Sequence, residues 1–404
     1  MKYIRLIFFL VILAAGLTAC GGGSGPNGEP DPGDTPYMTV VKRDYTISSD
    51  GGTLYATVSA NTTYRATPSK SWCKAEILSG SSDNLKLTVD PHTGTLNRTA
   101  GVLLEASGCS PVELTVTQDA YKDPGESGDG DKDYLEFRAA SYNIRYNAQE
   151  DIDGGNGWSV RAPQIANLFH NYGFDIVGTQ EASNAQLTAI EPLLGGYSNF
   201  KYGYGSNTAG TSHNCITFYK TDKFTLLNSG VYYYSLTPDT PSKGWDGDYR
   251  ICSWGKFREK TTGIEFYFFN SHFYWQGTQA RPPSGPLHVE KTKAIAGSSP
   301  AISTGDFNSA PSTTQIAAIM TLYSDSYHIT EATRVGPEGT SFAGGVFTGT
   351  PGSRIDYVFV KGGIKIRDYK VLDDQYYNGK NVLSYPSDHL PVTAKVAIEI
   401  PKGD

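Results

Sequence analysis

Apolar and polar positions along this 404-residue chain follow two different periods, and the change of period divides it. Between residues 37 and 120, runs at 53–58, 85–89, 101–105 and 112–118 alternate or stay apolar over a few residues. Turn clusters such as Ser48-Ser49-Asp50-Gly51-Gly52 and Asp90-Pro91-His92-Thr93-Gly94 separate them. Short, regularly spaced strands with turns predict a small all-β sandwich of immunoglobulin-like type. From residue 134 helical spacing joins in. Ile165, Leu168, Phe169 and Tyr172 fall at i, i+3, i+4 and i+7, as do Ile316, Ile319, Met320 and Tyr323. Strand-like runs occupy 138–144, 175–178, 215–219, 251–257, 264–270, 301–304 and 354–360. A last one alternates Val392, Ala394, Val396 and Ile398 against Thr393, Lys395 and Glu399. Strands mixed with helices, several of them hairpin-like neighbours, predict an α/β domain of packed sheets covered by helices.

Two stretches carry neither period. Residues 21–36 and 121–133 are rich in Gly, Pro and acids, and are expected to be a flexible tether and a linker. Residues 1–20 form a leader. Lys2 and Arg5 precede an apolar run from Leu6 to Leu17 that is too short for a lasting membrane span. The run ends Leu17-Thr18-Ala19-Cys20, which resembles the lipobox of bacterial lipoproteins. That resemblance implies lipidation of Cys20 and anchoring to the cell envelope: outer membrane, periplasmic face or surface. The expected organisation is therefore 1–20 leader, 21–36 tether, 37–120 β-module, 121–133 linker and 134–404 α/β domain.

Composition changes this picture in two places. The formal net charge is −7, which argues against a protein built to grip a duplex through a Lys/Arg-rich face. Nuclease chemistry stays open, because bound cations offset local negative charge. None of the five cysteines has metal-ligand spacing. Cys73 and Cys109 share the small module and are candidates for a disulfide in an oxidising compartment, whereas Cys215 and Cys252 lie in strand-like runs and read as buried thiols.

Polar residues recur at or near the ends of the predicted strands of the larger domain. They are Ser141-Tyr142-Asn143-Ile144-Arg145-Tyr146, Gly178-Thr179-Gln180-Glu181, Asn270-Ser271-His272-Phe273, Gly305-Asp306-Phe307-Asn308, Arg354-Ile355-Asp356-Tyr357 and Ser387-Asp388-His389. Each cluster alone is ordinary turn chemistry. Six of them beside apolar strands indicate a shared edge, where α/β sheets bind ligands. The set suits phosphate-ester hydrolysis, which needs a divalent cation, a positioned water and donors for the equatorial oxygens. Glu181, Asp388 and Asn143 offer oxygen ligands to a hard cation such as Mg²⁺, with Mn²⁺ as an alternative. Asp306 is placed to orient or deprotonate water, and Asp356 with His389 suits a carboxylate–imidazole pair.

These motifs resemble the endonuclease/exonuclease/phosphatase superfamily over residues 134–400. The resemblance implies a four-layer α/β sandwich, two central sheets with helices outside. It also implies Glu181 and Asn143 on the metal with Asp388 completing its environment, and His272 and Asn308 on the phosphate. Asp306 would then activate water, and Asp356 would orient His389. Within that superfamily the chain is similar to bacterial secreted proteins through Trp158 and Arg161, Lys243-Gly244-Trp245-Asp246 and Arg250-Ile251-Cys252-Ser253-Trp254. Arg145, where some relatives carry an acid, is expected to contact phosphate, and Trp245 to contact substrate. Two departures follow His272. Tyr274 and Trp275 replace an expected Asp-His pair, as substrate-stacking aromatics or as packing. Pro282, Pro283, Gly285 and Pro286 are expected to interrupt the next helix.

The small module resembles the BACON domain of Bacteroidetes proteins through Ser71-Trp72-Cys73, Asn97-Arg98-Thr99 and Leu114-Thr115-Val116-Thr117-Gln118. This implies either glycan contact, through Tyr45, Tyr55, Tyr64 and Trp72, or a spacer. The combined expectation is a lipid-anchored, Mg²⁺-dependent phosphoesterase. Its substrate would be a phosphorylated glycan, a lipid or inositol headgroup, or a nucleic acid. The alternatives are an extracellular nuclease and a glycan-adhesion protein with a vestigial catalytic domain.

Overall fold

A computed structural model describes residues 36–78, 85–121, 132–205, 213–276 and 279–402. The leader with Cys20, nearly all of the tether and most of the linker lie outside the described residues. No helix among them is long and apolar enough to cross a membrane.

The small module is all-β. One sheet runs Asp44–Ile47, Val112–Gln118, Arg98–Ala106, Tyr64–Pro68, and another Gly52–Ala56, Leu85–Val89, Cys73–Ile77. Met38–Val40 pairs with Val58–Ala60. Alternate residues, among them Leu85, Leu87, Val89, Val102, Leu104, Leu114 and Val116, point into a single core. The expected Cys73–Cys109 disulfide is not formed, and no described cysteine is in one. Cys73 points into the core from one sheet, while Cys109 lies in the turn after Arg98–Ala106 of the other. The aromatics expected on a binding face are largely engaged. Tyr45 is buried, Tyr55 packs on His170, and Trp72 lies 4.2 Å beneath the Arg98 guanidinium.

The larger domain has two six-stranded sheets. The first runs Tyr197–Gly203, Asn214–Lys220, Ile176–Ala182, Tyr134–Asn143, Val392–Glu399, Lys365–Val371. The second runs Phe224–Tyr233, Ile251–Glu259, Glu265–His272, Ala301–Asp306, Asp356–Lys361, Ser324–Asp325. Phe137, Ile176 and Val396 of the first meet Phe266, Phe268, Ile302 and Val358 of the second in a shared core. Each such side chain contributes about 1.5–3 kcal/mol by leaving water. On the outer faces, Ile165, Leu168 and Phe169 of helix Trp158–Asn171 pack on Val177 and Phe218. Helices Arg281–Ala296 and Thr314–Ile319 cover the second sheet.

Helix Arg281–Ala296 corrects the expectation of an interruption. Pro282 and Pro283 occupy its first turn, where backbone N–H groups have no intrahelical acceptor. Gly285 lets Thr314–Ile319 approach, since a Cβ there would stand 2.3 Å from the Gln315 carbonyl oxygen. Pro286 alone removes a helical hydrogen bond.

Each sheet has one parallel pair at its centre, Tyr134–Asn143 beside Ile176–Ala182 and Glu265–His272 beside Ala301–Asp306. Their C-terminal ends therefore reach a common edge. Behind it the sheets are tied by Gln180 Nε2, which donates to Asn270 Oδ1 at 2.8 Å. Gly178 permits this approach, because a Cβ would meet Thr304 Oγ1 at 2.3 Å.

Candidate active site

Backbone strain marks the edge where the strands end. Among the described residues, four non-glycines have positive φ: Arg145, Glu181, Asn308 and Asn381. Three of them flank this edge. Such conformations cost on the order of 1–3 kcal/mol and persist where the surroundings enforce them. Glu181 is forced outward by an irregularity between Thr179 and Ala182, where pairing with Asn214–Lys220 shifts register.

Strand register brings the side chains together. His272 stands opposite Asp306, and Asp306 opposite Asp356. Asn143 Nδ2 donates to Asp306 Oδ2 at 3.0 Å and to Glu181 Oε1 at 3.2 Å. The other Asp306 oxygen accepts the Asn308 backbone N–H at 2.9 Å. Asn308 is held in turn by the Phe273 carbonyl at 3.1 Å. His389 Nδ1 pairs with Asp356 Oδ2 at 2.9 Å, and the same oxygen accepts the Thr340 hydroxyl at 2.6 Å. His389 Nε2 then faces Asp306 Oδ2 at 3.7 Å. On the opposite side, the Tyr204 hydroxyl accepts the Glu181 N–H and lies 2.6 Å from His272 Nδ1. Donation by Tyr204 leaves the proton of His272 on Nε2, 3.4 Å from Asp306 Oδ2.

The two histidines acquire opposite charge preferences. Burial, the Arg250 cation and His389 push His272 well below the ordinary histidine pKa, so it is neutral. Burial also opposes charge on His389, but the Asp356 and Asp306 carboxylates outweigh it and raise its pKa well above the ordinary value. Asp306 is pushed up to about 7 by burial, against the pull of His389 and with Asp356 adding to the rise. A carboxylate poised near neutrality is matched to accepting a proton from water.

The donor set fits a hard divalent cation. On one side the Glu181 and Asp306 carboxylates are bridged by Asn143 Nδ2, while Asn143 Oδ1 accepts the Arg145 N–H at 3.0 Å. On the other, ligand atoms of Asp306, Asp356 and His389 lie within 4.8 Å of one another. Asp356 Oδ1 is buried without a partner, which is costly unless something positive or hydrogen-bonding satisfies it. Asp306 is common to both groups.

Six of the predicted residues converge around Asp306: Asn143, Glu181, His272, Asn308, Asp356 and His389. The others are placed differently. Arg145, expected on phosphate, is engaged by acids, with Nε 3.1 Å from Asp151 Oδ2 and Nη1 3.4 Å from Asp388 Oδ2. Asp388, expected at the metal, accepts the Gly345 N–H at 2.8 Å and completes that ion pair. The aromatic pair splits. Tyr274 is 2% exposed with its hydroxyl on the Asp248 carbonyl, so it is packing; Trp275 is 60% exposed and available to a ligand. Trp245 is half-buried against the hydrophobic cluster around Tyr274.

Two groups at the site carried no role in the sequence reading. Tyr204 sits in a loop with no motif. Arg250 opens a quoted motif, but nothing local indicated that its side chain reaches His272. Arg161 proves to be a strut, its guanidinium donating to the carbonyls of Ile144, Arg145, Tyr146, Asn156 and Pro386.

Comparison with known proteins agrees with this geometry. Residues 140–389 match the model of the endonuclease/exonuclease/phosphatase family. The chain is similar to the crystal structure of a protein of that family from Bacteroides thetaiotaomicron. The two are 37% identical with a TM-score of 0.62, over 66% of this chain and 98% of that one. It is likewise similar to a mannosyl-6-phosphatase of the same organism, 36% identical with a TM-score of 0.60, over 65% of this chain and 100% of that one. An uncharacterized protein of Acanthamoeba polyphaga mimivirus is 31% identical over 158 residues, 37% of this chain. The chain spans 59% of that relative's length.

Proposed function

Since this chain belongs to the endonuclease/exonuclease/phosphatase family, whose members hydrolyse phosphoesters, we propose that it is a divalent-metal-dependent phosphoesterase of glycan-borne phosphate, displayed on the cell envelope by a lipid on Cys20. The convergence of Asn143, Glu181, His272, Asp306, Asn308, Asp356 and His389 on one strained sheet edge carries this reading. Glu181, with Asn143 beside it, would hold Mg²⁺ or Mn²⁺, which when bound polarises a phosphoryl oxygen and offsets its charge. Asp306 accepts the proton of the attacking water, oriented by Asn143 and the Asn308 N–H. His389, kept cationic and aimed by Asp356, meets a phosphoryl oxygen, and neutral His272 donates through Nε2.

A carbohydrate substrate is favoured over nucleic acid by the net charge of −7 and by the name of the mannosyl-6-phosphatase relative. The β-module acts as a spacer in this reading, since all four of its candidate aromatics are engaged in packing.

The test is hydrolysis by the full-length protein of mannose 6-phosphate, bis-p-nitrophenyl phosphate, sphingomyelin, plasmid DNA and RNA, with Mg²⁺ or EDTA. The expected result is turnover of a sugar phosphate above DNA or RNA, abolished by EDTA. Asp306→Asn should lower kcat by about 10²–10⁴-fold, the usual contribution of a general base. Undiminished activity in EDTA or in Asp306→Asn would overturn the mechanism, and preferred cleavage of DNA would overturn the substrate.

A further inference from the structure

Arg250 differs from the other buried arginines near the site. Arg145 is met by Asp151 and Asp388, and Arg161 by five carbonyls. Arg250 is 7% exposed, yet its Nε has no hydrogen-bond partner. Its ion-pair partner, Asp248, is largely exposed and stands 3.5 Å from Nη2. Nη1 lies 3.2 Å from both ring nitrogens of His272. Equal distances place it over the ring rather than on one lone pair, and Tyr204 already occupies Nδ1. The guanidinium therefore meets the imidazole through Nη1 and keeps its Nε–H unspent. A buried cation in this state is out of balance until an anion joins it.

We propose that Arg250 is a substrate-binding residue that takes a non-bridging phosphate oxygen and makes the site selective for phosphomonoesters. This rests on the phosphoesterase reading above. In-line attack leaves three equatorial oxygens on phosphorus. A cation held at Glu181 would offset the charge of one, and His389 with Asn308 would meet a second. The third falls between His272 Nε2 and the unspent Nε–H of Arg250. Tyr204 and His272 are both buried at that end, with the Arg250 guanidinium 5.6 Å from the centre of the Tyr204 ring. A monoester presents three unsubstituted oxygens and a second negative charge for Arg250. A diester must carry its second substituent on one of the three, and each position already has a partner.

The experiment compares kcat/KM for p-nitrophenyl phosphate and bis-p-nitrophenyl phosphate in full-length wild type, Arg250→Ala and Arg250→Lys. Wild type should prefer the monoester. In Arg250→Ala that preference should fall by about 10–100-fold, the range carried by a charge-assisted hydrogen bond. Arg250→Lys restores charge without the planar fork and should recover part of it; it also carries the test if the alanine variant does not fold. A preference unchanged by either variant, or a wild type preferring the diester, would overturn the proposal. Inorganic phosphate in EDTA gives an arm independent of turnover. It should raise the Tm of wild type and not of the variant. Should wild type cleave neither ester, the phosphoesterase reading fails. A phosphate shift lost with Arg250 would still support the anion site, and no shift in wild type would sink it.

Discussion

His288 and His389 are one residue type driven to opposite states by what surrounds them. His389 faces two carboxylates and is held cationic. His288 meets only the hydroxyls of Tyr232, Tyr234 and Ser303, at 2.7, 3.1 and 2.9 Å, and aromatic rings. Burial pushes its pKa down to about 3. An unfolded histidine titrates near 6.5, so between these values the unfolded state binds the extra proton. The stability contribution of neutral His288 is therefore complete above about pH 6.5 and is lost progressively as pH falls toward 3. At pH 4.5 the loss should be roughly 2–3 kcal/mol, at 1.36 kcal/mol per pH unit. Urea unfolding at pH 7 and pH 4.5 checks this: the difference should shrink by that amount in His288→Gln, and an equal difference in both proteins would contradict it. Legibility follows the same physics of surroundings. Asn143, Glu181, Asp306 and His389 could be read because each sits in a distinctive local motif at a strand end. The ion pair of Arg145 with Asp151 was not legible, because Asp151 lies on a short helix whose approach no local pattern encodes. Tyr204 acts through the Glu181 N–H and through His272, 23 and 68 positions away, and no local pattern encodes those contacts.

Elements were legible where burial was two-sided. The central strands, such as Ala301–Asp306, are buried throughout and stood out, whereas the edges did not. Lys365–Val371 carries Lys365, Arg367, Asp368 and Lys370, the charged dress of an edge strand, and Phe224–Tyr233, an edge of the other sheet, buries only three of its ten residues. The helix Trp158–Asn171 was legible by its apolar stripe, but its main contribution to the site comes from a charged residue on the buried face. Arg161 gathers five carbonyls from three separate places, 144–146, 156 and 386, and so sets where Asn143 and the Asp388–His389 pair stand relative to each other. Arg161→Ala should cost about 3–5 kcal/mol, because it strands buried acceptors, and should lower kcat as well. Arg161→Lys should recover little, since a point charge cannot replace the fork. Chemical denaturation with activity assays at matched folded fraction checks both, and full stability of Arg161→Ala would rule out the strut role.

At the scale of the whole molecule, the sequence implied two bodies joined by a linker, and the structure adds a built contact between them. Asn171, at the end of the same helix, accepts the Tyr55 N–H at 2.5 Å and donates to the Tyr55 carbonyl at 2.9 Å. Its amide thereby takes the place of a neighbouring strand along the open edge of Gly52–Ala56. Lys42 Nζ reaches Asp374 Oδ1 at 2.5 Å and the Tyr172 hydroxyl at 2.8 Å, closing the joint. None of this is visible to periodicity, because the partners are polar and lie 116 to 332 positions apart. The consequence is a β-module whose orientation to the active site is fixed through the helix that carries Arg161, rather than one free to swing on its linker. Asn171→Ala removes both hydrogen bonds and leaves the catalytic residues untouched. At about 1 kcal/mol each, their loss should speed exchange of the Tyr55 amide by about 10–30-fold in hydrogen-exchange measurements, with turnover of a small phosphoester within twofold of wild type. Unchanged exchange at Tyr55 would mean the modules are joined by the linker alone. Faster exchange with intact turnover would assign the joint to presentation of the site and not to its chemistry.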